Sequence, residues 1–378
     1  MILQYNFPTT IRFGAGASEE LGDYLVKQGL SRPLVVTDPV VAGLPFFKRL
    51  MAGLDAKGMA VTIFHDMHKN PVKSDVYKGT DAFDEGKCDS VVGIGGGAAM
   101  DVARAIVLRV DHREDLFKYD DLIGGDVYVT GSVPHFVTIP TTAGTGSEVG
   151  RSAIIADDET HRKRILFSPK LLARIVFADP LLTMDLPAAV TAATGMDALT
   201  HNMEAYIAKM SHPMCEGIAL EGMSLIFSSI ETAVKAPTAE ARGRMMMGSL
   251  MGAVAFQKGL GVVHSLAHPL SSLLDTHHGL ANAVNLPYGM RFNIEGCEEK
   301  FRQMARKFEI PKETGDGLVS RLFELNERIG IPNRLRDIGV LEEHLDPLAD
   351  LAIDDFAHPN NPKPVSRADF RALYAEAW

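Results

Sequence analysis

Five histidines and one aspartate lie in three short, mainly apolar segments of the second half of the chain. The segments GMDALTHNMEAY (195–206), GLGVVHSLAHPL (259–270) and THHGLANAVNLPYG (276–289) contain Asp197, His201, His264, His268, His277 and His278. In the first two segments these residues are four apart, so both project from one face of a helix. Buried imidazoles and carboxylates are costly without partners, and one divalent metal would satisfy several at once. A carboxylate with three imidazoles suits Fe(II) or Zn(II), which ligand type alone does not separate.

A second interpretation is that these are ordinary helix histidines hydrogen-bonded to backbone carbonyls. The size of the set favours the metal, because histidine is the commonest metal ligand. Pro269 directly follows His268 and disfavours helical backbone at that histidine. We therefore expect either a kink at His268 or a weaker argument from its spacing to His264.

Two glycine-rich segments of the first half predict a dinucleotide site. In GIGGGAAMD (93–101), glycines would let backbone N–H groups approach a pyrophosphate at the start of a helix. This segment departs from the G-x-G-x-x-G fingerprint, so a tight strand-to-helix turn without a ligand is the alternative. A second segment, IPTTAGTGSEVG (139–150), adds hydroxyl side chains that could wrap ribose and phosphate oxygens: Thr141, Thr142, Thr145 and Ser147.

Asp38 ends an expected strand near the start of the chain. A carboxylate at that place can bind ribose hydroxyls and repel a 2′-phosphate. This predicts NAD in preference to NADP. A helix or turn cap is the other role open to this aspartate.

The elements that must position these residues differ between the two halves. Strands are expected at 32–38, 61–66, 88–93, 136–140 and 173–179. Their alternation with helical stretches predicts an α/β fold with a mostly parallel sheet. From residue 186 onward Ala, Met and Leu recur at helical spacing, with helices expected at 188–210, 214–234, 240–256, 298–308 and 315–329. We expect a dinucleotide-binding α/β domain at 1–185 and an all-α, metal-binding domain at 186–378.

Composition narrows the class of protein. The net charge of −10 and the lack of a long basic block argue against nucleic acid as a partner. The first residues lack the pattern of a signal peptide, and no apolar run approaches the roughly 20 residues of a membrane helix. Three scattered cysteines, Cys88, Cys215 and Cys297, fit a reducing compartment. We expect a cytoplasmic enzyme with no membrane partner.

The motifs together resemble those of the iron-containing (group III) alcohol dehydrogenases. The resemblance runs from IRFGAG through GIGGGAAMDVARAI, IPTTAGTGSEV, ADPLLT and GMDALTH to GLGVVHSLAHPL and HHGLANAVNLP. It implies an N-terminal dinucleotide-binding domain, a C-terminal helical domain and an active site in the cleft between them. Family members are commonly dimers or larger, so we expect a homo-oligomer.

The resemblance also implies roles for individual residues. The family's metal ligands correspond to Asp197, His201, His264 and His278, whereas His268 corresponds to a histidine beside the substrate and nicotinamide. His277 has no corresponding role. The implied nucleotide contacts are Asp38, Gly95, Gly96, Gly97, Asp101, Thr141, Thr142, Thr145 and Lys163.

Three features depart from the family pattern. Ala98 replaces a serine after the three glycines, which removes a hydroxyl contact to phosphate. Arg104 replaces a lysine and keeps its charge. The stretch FQKGLGVVH (256–264) is one residue shorter than usual, which affects the expected wall of the substrate pocket.

These predicted roles imply hydride transfer between nicotinamide and a small alcohol or aldehyde held at the metal, a Lewis acid. His268 is the expected proton relay, because an imidazole titrates near neutral pH. Arg151 or Lys258 could bind the carboxylate of an acidic semialdehyde, although a solvated or structural cation is the more common role for such residues.

Other functions are open to a chain with these motifs, within and outside the superfamily. Glycerol dehydrogenase-like and dehydroquinate synthase-like enzymes share the fold but lack the full four-ligand pattern. Maleylacetate reductases do without the metal. A metal- or nucleotide-binding protein without catalysis is the alternative from another class, and the presence of His268 beside a complete ligand set argues against it.

Overall fold

The computed structural model describes Phe7 and residues 9–160 and 162–378. The described chain divides into two compact units. We call residues 7–142 and 146–183 the α/β unit, and residues 143–145 and 184–378 the helical unit.

The α/β unit is built on a six-stranded parallel sheet. Its strands run in the order β1-β8-β5-β4-β2-β3, and β6 pairs with β7 in a separate antiparallel ribbon. The strands are β1 (Thr10–Phe13), β2 (Pro33–Val36), β3 (Thr62–Phe64), β4 (Ser90–Gly95), β5 (His135–Pro140), β6 (Ser152–Ala156), β7 (Lys163–Phe167) and β8 (Ile175–Ala178). Continuous apolar runs form the central strands, because helices cover both faces of a parallel sheet.

Among the described residues, five α-helices belong to the α/β unit and nine to the helical unit. The first five are α1 (Leu21–Lys27), α2 (Pro39–Gly43), α3 (Pro45–Asp55), α4 (Lys73–Glu85) and α5 (Gly97–Asp111). The others are α6 (Ala188–Ile207), α7 (Pro213–Lys235), α8 (Ala239–Ala255), α9 (Val262–Leu274), α10 (His278–Phe292), α11 (Glu298–Lys307), α12 (Gly315–Ile329), α13 (Leu345–Ile353) and α14 (Arg367–Ala377).

The predicted fold class is confirmed. The described part of residues 184–378 contains no β-strand, and each of the five predicted helices is present with its ends shifted by a few residues at most. The sequence interpretation missed β1 and the β6–β7 ribbon. Both consist of short strands, and β1 lies at the edge of the sheet with a mostly exposed face, so neither produces the long apolar run of a central strand.

Helix α7 corrects one expectation about membrane segments. By length and composition it could cross a membrane, and the bent pair formed by residues 239–258 and α9 passes the same test if taken as one span. The expectation that no segment is long and apolar enough was therefore wrong. Helix α7 also packs against α6 and α8 and buries Ala219, Met223, Ile226 and Ile230 on one face.

Candidate functional site

Three helices of the helical unit bring four potential metal ligands together. Asp197 and His201 lie on α6, His264 on α9, and His278 opens α10. The Oδ1 atom of Asp197 lies 3.8, 3.9 and 3.4 Å from the Nε2 atoms of His201, His264 and His278. All four candidate ligand atoms fall within 4.8 Å of one another. Ligands about 2.0–2.1 Å from a tetrahedral metal are roughly 3.4 Å apart, so the observed spacing is close to that of a ligand shell.

The electrostatics of this group suit a cation. Burial alone would raise the pKa of Asp197, but the three histidines and the Asn282 amide outweigh it and hold that pKa at about 2. Burial holds the pKa values of His264 and His278 well below the usual range. An ionised carboxylate with neutral imidazoles is the protonation state that metal binding requires.

Glu204 holds the imidazole of His264 in place. Its Oε2 atom accepts a hydrogen bond from Nδ1 of His264 at 2.6 Å, and Oε1 accepts one from the backbone N–H of Val263 at 2.7 Å. Burial raises the pKa of this carboxyl to about 7. A carboxylate behind a ligating histidine fixes the tautomer that leaves Nε2 free to bind. The sequence interpretation missed Glu204, although its place seven residues after Asp197 sets both on one face of α6.

Asn282 is a second residue that the sequence interpretation missed. Its amide Nδ2 donates to Oδ1 of Asp197 at 2.7 Å and lies 3.1 Å from Nε2 of His278. Among the described residues, Nδ1 of His201 and Oδ1 of Asn282 are buried without a hydrogen-bond partner. One carboxylate and three imidazoles thus converge around a single amide donor, and this set of candidate ligands fits Fe(II) or Zn(II).

His268 lies beside the four candidate ligands and pairs with a carboxylate of its own. Nδ1 of His268 lies 2.7 Å from Oδ2 of Asp355, whose Oδ1 accepts hydrogen bonds from Ser265 Oγ and the Ala357 N–H at 2.6 and 2.9 Å. The ring stacks on that of Phe356 at 5.3 Å between centroids. Asp355 was not predicted, because it is 87 residues from His268 in sequence.

Helix α9 continues through Pro269, so the proline does not weaken the argument from the four-residue spacing of His264 and His268. The rings of His264 and His268 lie 5.7 Å apart, as the four-residue spacing predicts for one helix face. His277, which had no assigned role, is the N-cap residue of α10 and accepts a hydrogen bond from the Leu280 N–H at 3.4 Å.

In the α/β unit the glycine turn joins β4 to α5. Gly95 has a φ of 154°, and a Cβ atom there would lie 2.7 Å from Cβ of Ala99 and 3.4 Å from Oδ2 of Asp38. A Cβ on Gly96 would lie 3.4 Å from the Thr142 side chain, and Gly97 opens α5. The turn, Asp38 and Thr142 are therefore neighbours, and only glycine gives the turn its close approach.

Asp38 lies beside the glycine turn and also caps a helix, which was the alternative role open to it. Its Oδ1 atom accepts hydrogen bonds from the N–H groups of Val40 and Val41, both at 2.9 Å, and caps α2. Its other oxygen, Oδ2, is the one beside Gly95. The capping bonds fix the carboxylate and leave that second oxygen for a ligand.

Asp101 and Arg104 form an internal network next to the turn. Asp101 accepts hydrogen bonds from Ser147 Oγ and the Ile154 N–H at 2.9 and 3.2 Å, and burial raises its pKa to about 6. Arg104 is fully buried and donates to Ser147 Oγ and Ser152 O, both at 2.8 Å. The charge of Arg104 therefore holds the loop that follows β5, and the nucleotide contact of Asp101 stays a prediction.

Three further residues are predicted nucleotide contacts: Thr141, Thr145 and Lys163. Thr141 is buried and its N–H donates to Gly95 O at 2.9 Å. Thr145 falls in the helical unit. Lys163 is exposed at the start of β7, near enough to Asp101 to act on its pKa.

Lys258 is a structural cation. Its Nζ donates to Tyr206 O at 2.8 Å and pairs with Glu216 at 2.9 Å, and burial lowers its pKa to about 8. With its charge bound to Glu216 inside the helical unit, Lys258 is not available to a substrate carboxylate. The suggestion that it binds an acidic aldehyde is therefore wrong.

Comparison with known proteins decides the family. The family model described as iron-containing alcohol dehydrogenase matches residues 8–180, and the model of the C-terminal part of the same family matches residues 191–378. The chain belongs to the iron-containing alcohol dehydrogenase family. It is an oxidoreductase of the alcohol dehydrogenase and aldehyde reductase type, and the glycerol dehydrogenase-like and dehydroquinate synthase-like alternatives are not favoured.

Relatives with several substrates are similar over their whole length. A 4-hydroxybutyrate dehydrogenase of Cupriavidus necator is 36% identical and a lactaldehyde reductase of Escherichia coli (strain K12) 33% identical, each over 98% of both chains. A crystal structure of 1,3-propanediol oxidoreductase matches with a TM-score of 0.95 at 33% identity, covering 100% of both chains. A sulfoacetaldehyde reductase of Bifidobacterium kashiwanohense in complex with NAD+ matches with a TM-score of 0.89 at 27% identity, covering 100% of this chain and 99% of that one.

Proposed function

We propose that this enzyme transfers a hydride between NAD and a small alcohol or aldehyde, with a divalent metal held by Asp197, His201, His264 and His278. The observation that carries the proposal is the convergence of four ligand atoms of these residues within 4.8 Å. A divalent cation bound there supplies Lewis-acid stabilisation of negative charge on oxygen. Iron is the favoured metal because of the family to which the chain belongs, and Zn(II) competes for the same ligands.

The chain's own residues prepare the site for this chemistry. Glu204 holds His264 by its Nδ1 atom, which directs Nε2 to the metal position. Asp355 holds His268 in the same way, and we assign His268 Nε2 the transfer of the hydroxyl proton. Four hydrogen-bond and ring contacts of the Asp355–His268 pair fix the imidazole without using Nε2.

The cofactor is proposed to bind the α/β unit, within residues 1–185, while residues 186–378 bind the metal. The glycine turn Gly95, Gly96 and Gly97 would receive the pyrophosphate at the start of α5. Asp38 Oδ2 would accept hydrogen bonds from the ribose and repel a 2′-phosphate, which favours NAD over NADP. The proposed contacts further along the chain are Asp101, Thr141, Thr142, Thr145 and Lys163.

The names of the relatives leave two substrate classes open. Lactaldehyde and 1,3-propanediol are neutral, whereas 4-hydroxybutyrate and sulfoacetaldehyde carry a negative charge. We propose a small alcohol or aldehyde as the substrate and a cytoplasmic homo-oligomer as the working form. Neither nucleic acid nor a membrane is proposed as a partner.

The test is NADH formation by anaerobically purified protein with short alcohols, diols and hydroxy acids. Removal of metal with a chelator should abolish turnover, and Fe(II) or Zn(II) added back should restore it. His268→Ala should keep the metal content of the wild type and lose turnover by roughly 100-fold or more. Activity that does not depend on metal would refute the proposed site, and loss of metal in His268→Ala would refute the role of His268.

A further inference from the structure

The irregular segment that joins α13 to α14 contacts helix α9 at two places. One contact is between Asp355 and His268. The other is at the first turn of α9, where Oδ1 of Asn361 accepts a hydrogen bond from the Val262 N–H at 3.2 Å. Val262 lies two residues before the candidate ligand His264, so this hydrogen bond is made to the helical turn that carries the ligand.

Helix α9 begins without a capping side chain of its own. Its N-cap residue is Gly261, and the first N–H groups of a helix have no partner within it. Glu204 accepts the N–H of Val263 at 2.7 Å, and Asn361 accepts that of Val262. A Cβ atom on Gly261 would lie 2.6 Å from Oδ1 of Asn361 and 3.0 Å from Oε1 of Glu204. Two side chains from other parts of the helical unit therefore cap α9, and the glycine leaves room for both.

The amide of Asn361 is also paired with that of Asn293, the residue that ends α10. Nδ2 of Asn293 donates to Oδ1 of Asn361 at 2.9 Å, and Nδ2 of Asn361 donates to Oδ1 of Asn293 at 2.7 Å. Nδ2 of Asn361 donates to the Lys363 carbonyl as well, at 2.7 Å. Because the Val262 N–H can only donate and this carbonyl can only accept, the two backbone groups fix the orientation of the Asn361 amide. Both asparagines are buried, so the paired amides are shielded from water.

The first turn of α9 packs closely on α10. A Cβ atom on Gly289 of α10 would lie 2.5 Å from Cγ2 of Val263 and 3.2 Å from Cγ1 of Val262. Helix α10 begins with the candidate ligand His278, whose ring centroid lies 5.5 Å from that of His264. A shift of the start of α9 along α10 would therefore change the position of His264 relative to His278.

We propose that Asn361 is a positioning residue for the proposed metal centre, because it fixes the start of α9 against the end of α10. The inference rests on the proposed function, since it concerns the same four ligands, and none of the four hydrogen bonds that the Asn361 amide makes in the described chain goes to a ligand side chain. Ligand nitrogens must lie about 2.0–2.1 Å from the ion. A displaced His264 would therefore weaken metal binding even with all four ligands present.

The experiment measures metal binding by the full-length enzyme with the substitution Asn361→Ser, which removes the amide and keeps a small polar side chain. Affinity for Zn(II), determined by competition with a chelator, should fall roughly 10-fold, as it does for other groups that orient ligands. The visible absorption spectrum of the Co(II)-loaded enzyme should also change, because it depends on the arrangement of the ligands around the ion.

Asn326→Ser is the matched control. Asn326 is as deeply buried as Asn361, and its Nδ2 donates to the Ala283 carbonyl of α10 at 2.9 Å, but it belongs to α12 and its amide donates to α10 and Asn333. The midpoint of urea denaturation should fall in both variants. Zn(II) affinity and the Co(II) spectrum should stay at the wild-type values in Asn326→Ser. An equal loss of affinity in the two variants would show an effect of stability alone and would overturn the inference.

Asn293→Ser provides the test if Asn361→Ser does not fold. It removes the amide pair and keeps the hydrogen bonds of Asn361 with Val262 and Lys363, so it should lower Zn(II) affinity by less and change the Co(II) spectrum in the same direction. Wild-type affinity and spectrum in whichever of these two variants fold would overturn the inference and leave the proposed function standing. Failure of the wild type itself to bind Zn(II) or Co(II) would overturn both.

Discussion

Two buried polar clusters, one in each unit, differ in the groups that face their buried carboxylates. In the α/β unit Asp101 and Glu148 lie near Arg104, a cation supplied by the chain itself, and Ser147 completes the hydrogen bonds. In the helical unit Asp197 faces three imidazoles, and no lysine or arginine of the described chain pairs with it.

The difference separates a structural cluster from a ligand site. Burial raises the pKa of Asp101 to about 6 and that of Glu148 to about 7, so Arg104 offsets a cost that exists in the folded chain. Asp197 instead keeps a pKa of about 2, which makes it an anion at neutral pH beside nitrogen lone pairs. A buried carboxylate beside three imidazoles is a donor set that a divalent cation from outside the chain can complete.

The largest expected effect tests the helical cluster. Asp197→Asn removes the charge and keeps the shape, so the protein should lose most of its bound metal and turnover should fall by about a thousandfold, equal to about 4 kcal/mol. Metal content by mass spectrometry and NADH formation measure the two results. Asp101→Asn is the matched control and should keep the metal content of the wild type. A normal metal content in Asp197→Asn would mean that the helical cluster does not need this carboxylate to bind metal, and it would remove the distinction between the two clusters.

The next effect tests the α/β cluster. Arg104→Met leaves two buried carboxyl groups without their cation and should lower the free energy of unfolding by about 3–5 kcal/mol near pH 8, measured by urea denaturation. The pKa values of Asp101 and Glu148 in the folded chain are about 6 and about 7. Near pH 5 both carboxyls are therefore mainly protonated and need no cation, whereas near pH 8 both are ionised and depend on the charge of Arg104. The loss in Arg104→Met should therefore be smaller near pH 5.

The metal content of Arg104→Met should stay that of the wild type, since Arg104 belongs to the α/β unit. An equal loss of stability at both pH values would show that the arginine acts through packing and not through its charge. Loss of metal with no loss of stability would reverse the roles assigned to the two clusters.

The sequence was sufficient to predict the strands and helix faces that depend on a local pattern of residues. Apolar runs located the central strands, and the four-residue spacings put Asp197 with His201 and His264 with His268 on common helix faces. Glu204 could have been found by continuing the spacing along α6. Asp355 could not, because only the tertiary fold brings it to His268, and the same holds for the ion pair that makes Lys258 structural. Pro269 lies inside α9 without ending it, so the preference of the residue before a proline did not set the end of this helix.

The smallest of the three effects concerns Glu204, a carboxylate that contacts His264 and not the proposed metal position. The question is whether its charge changes the affinity for the metal. Glu204→Gln keeps an oxygen that can accept the hydrogen bond from Nδ1 of His264 but removes the charge behind the imidazole. Affinity for Zn(II) or Fe(II), measured by competition with a chelator, should fall roughly 10- to 100-fold.

Glu148→Gln is a matched control for this last change. Both glutamates are buried, and burial raises the pKa of each to about 7, yet Glu148 lies in the α/β cluster. Metal affinity should therefore stay at the wild-type value in Glu148→Gln. Wild-type metal affinity in both variants would mean that the charge of Glu204 does not affect metal binding, and that its hydrogen bond alone positions His264. A fall in both would mean that the loss reflects stability, because only Glu204 contacts a ligating side chain.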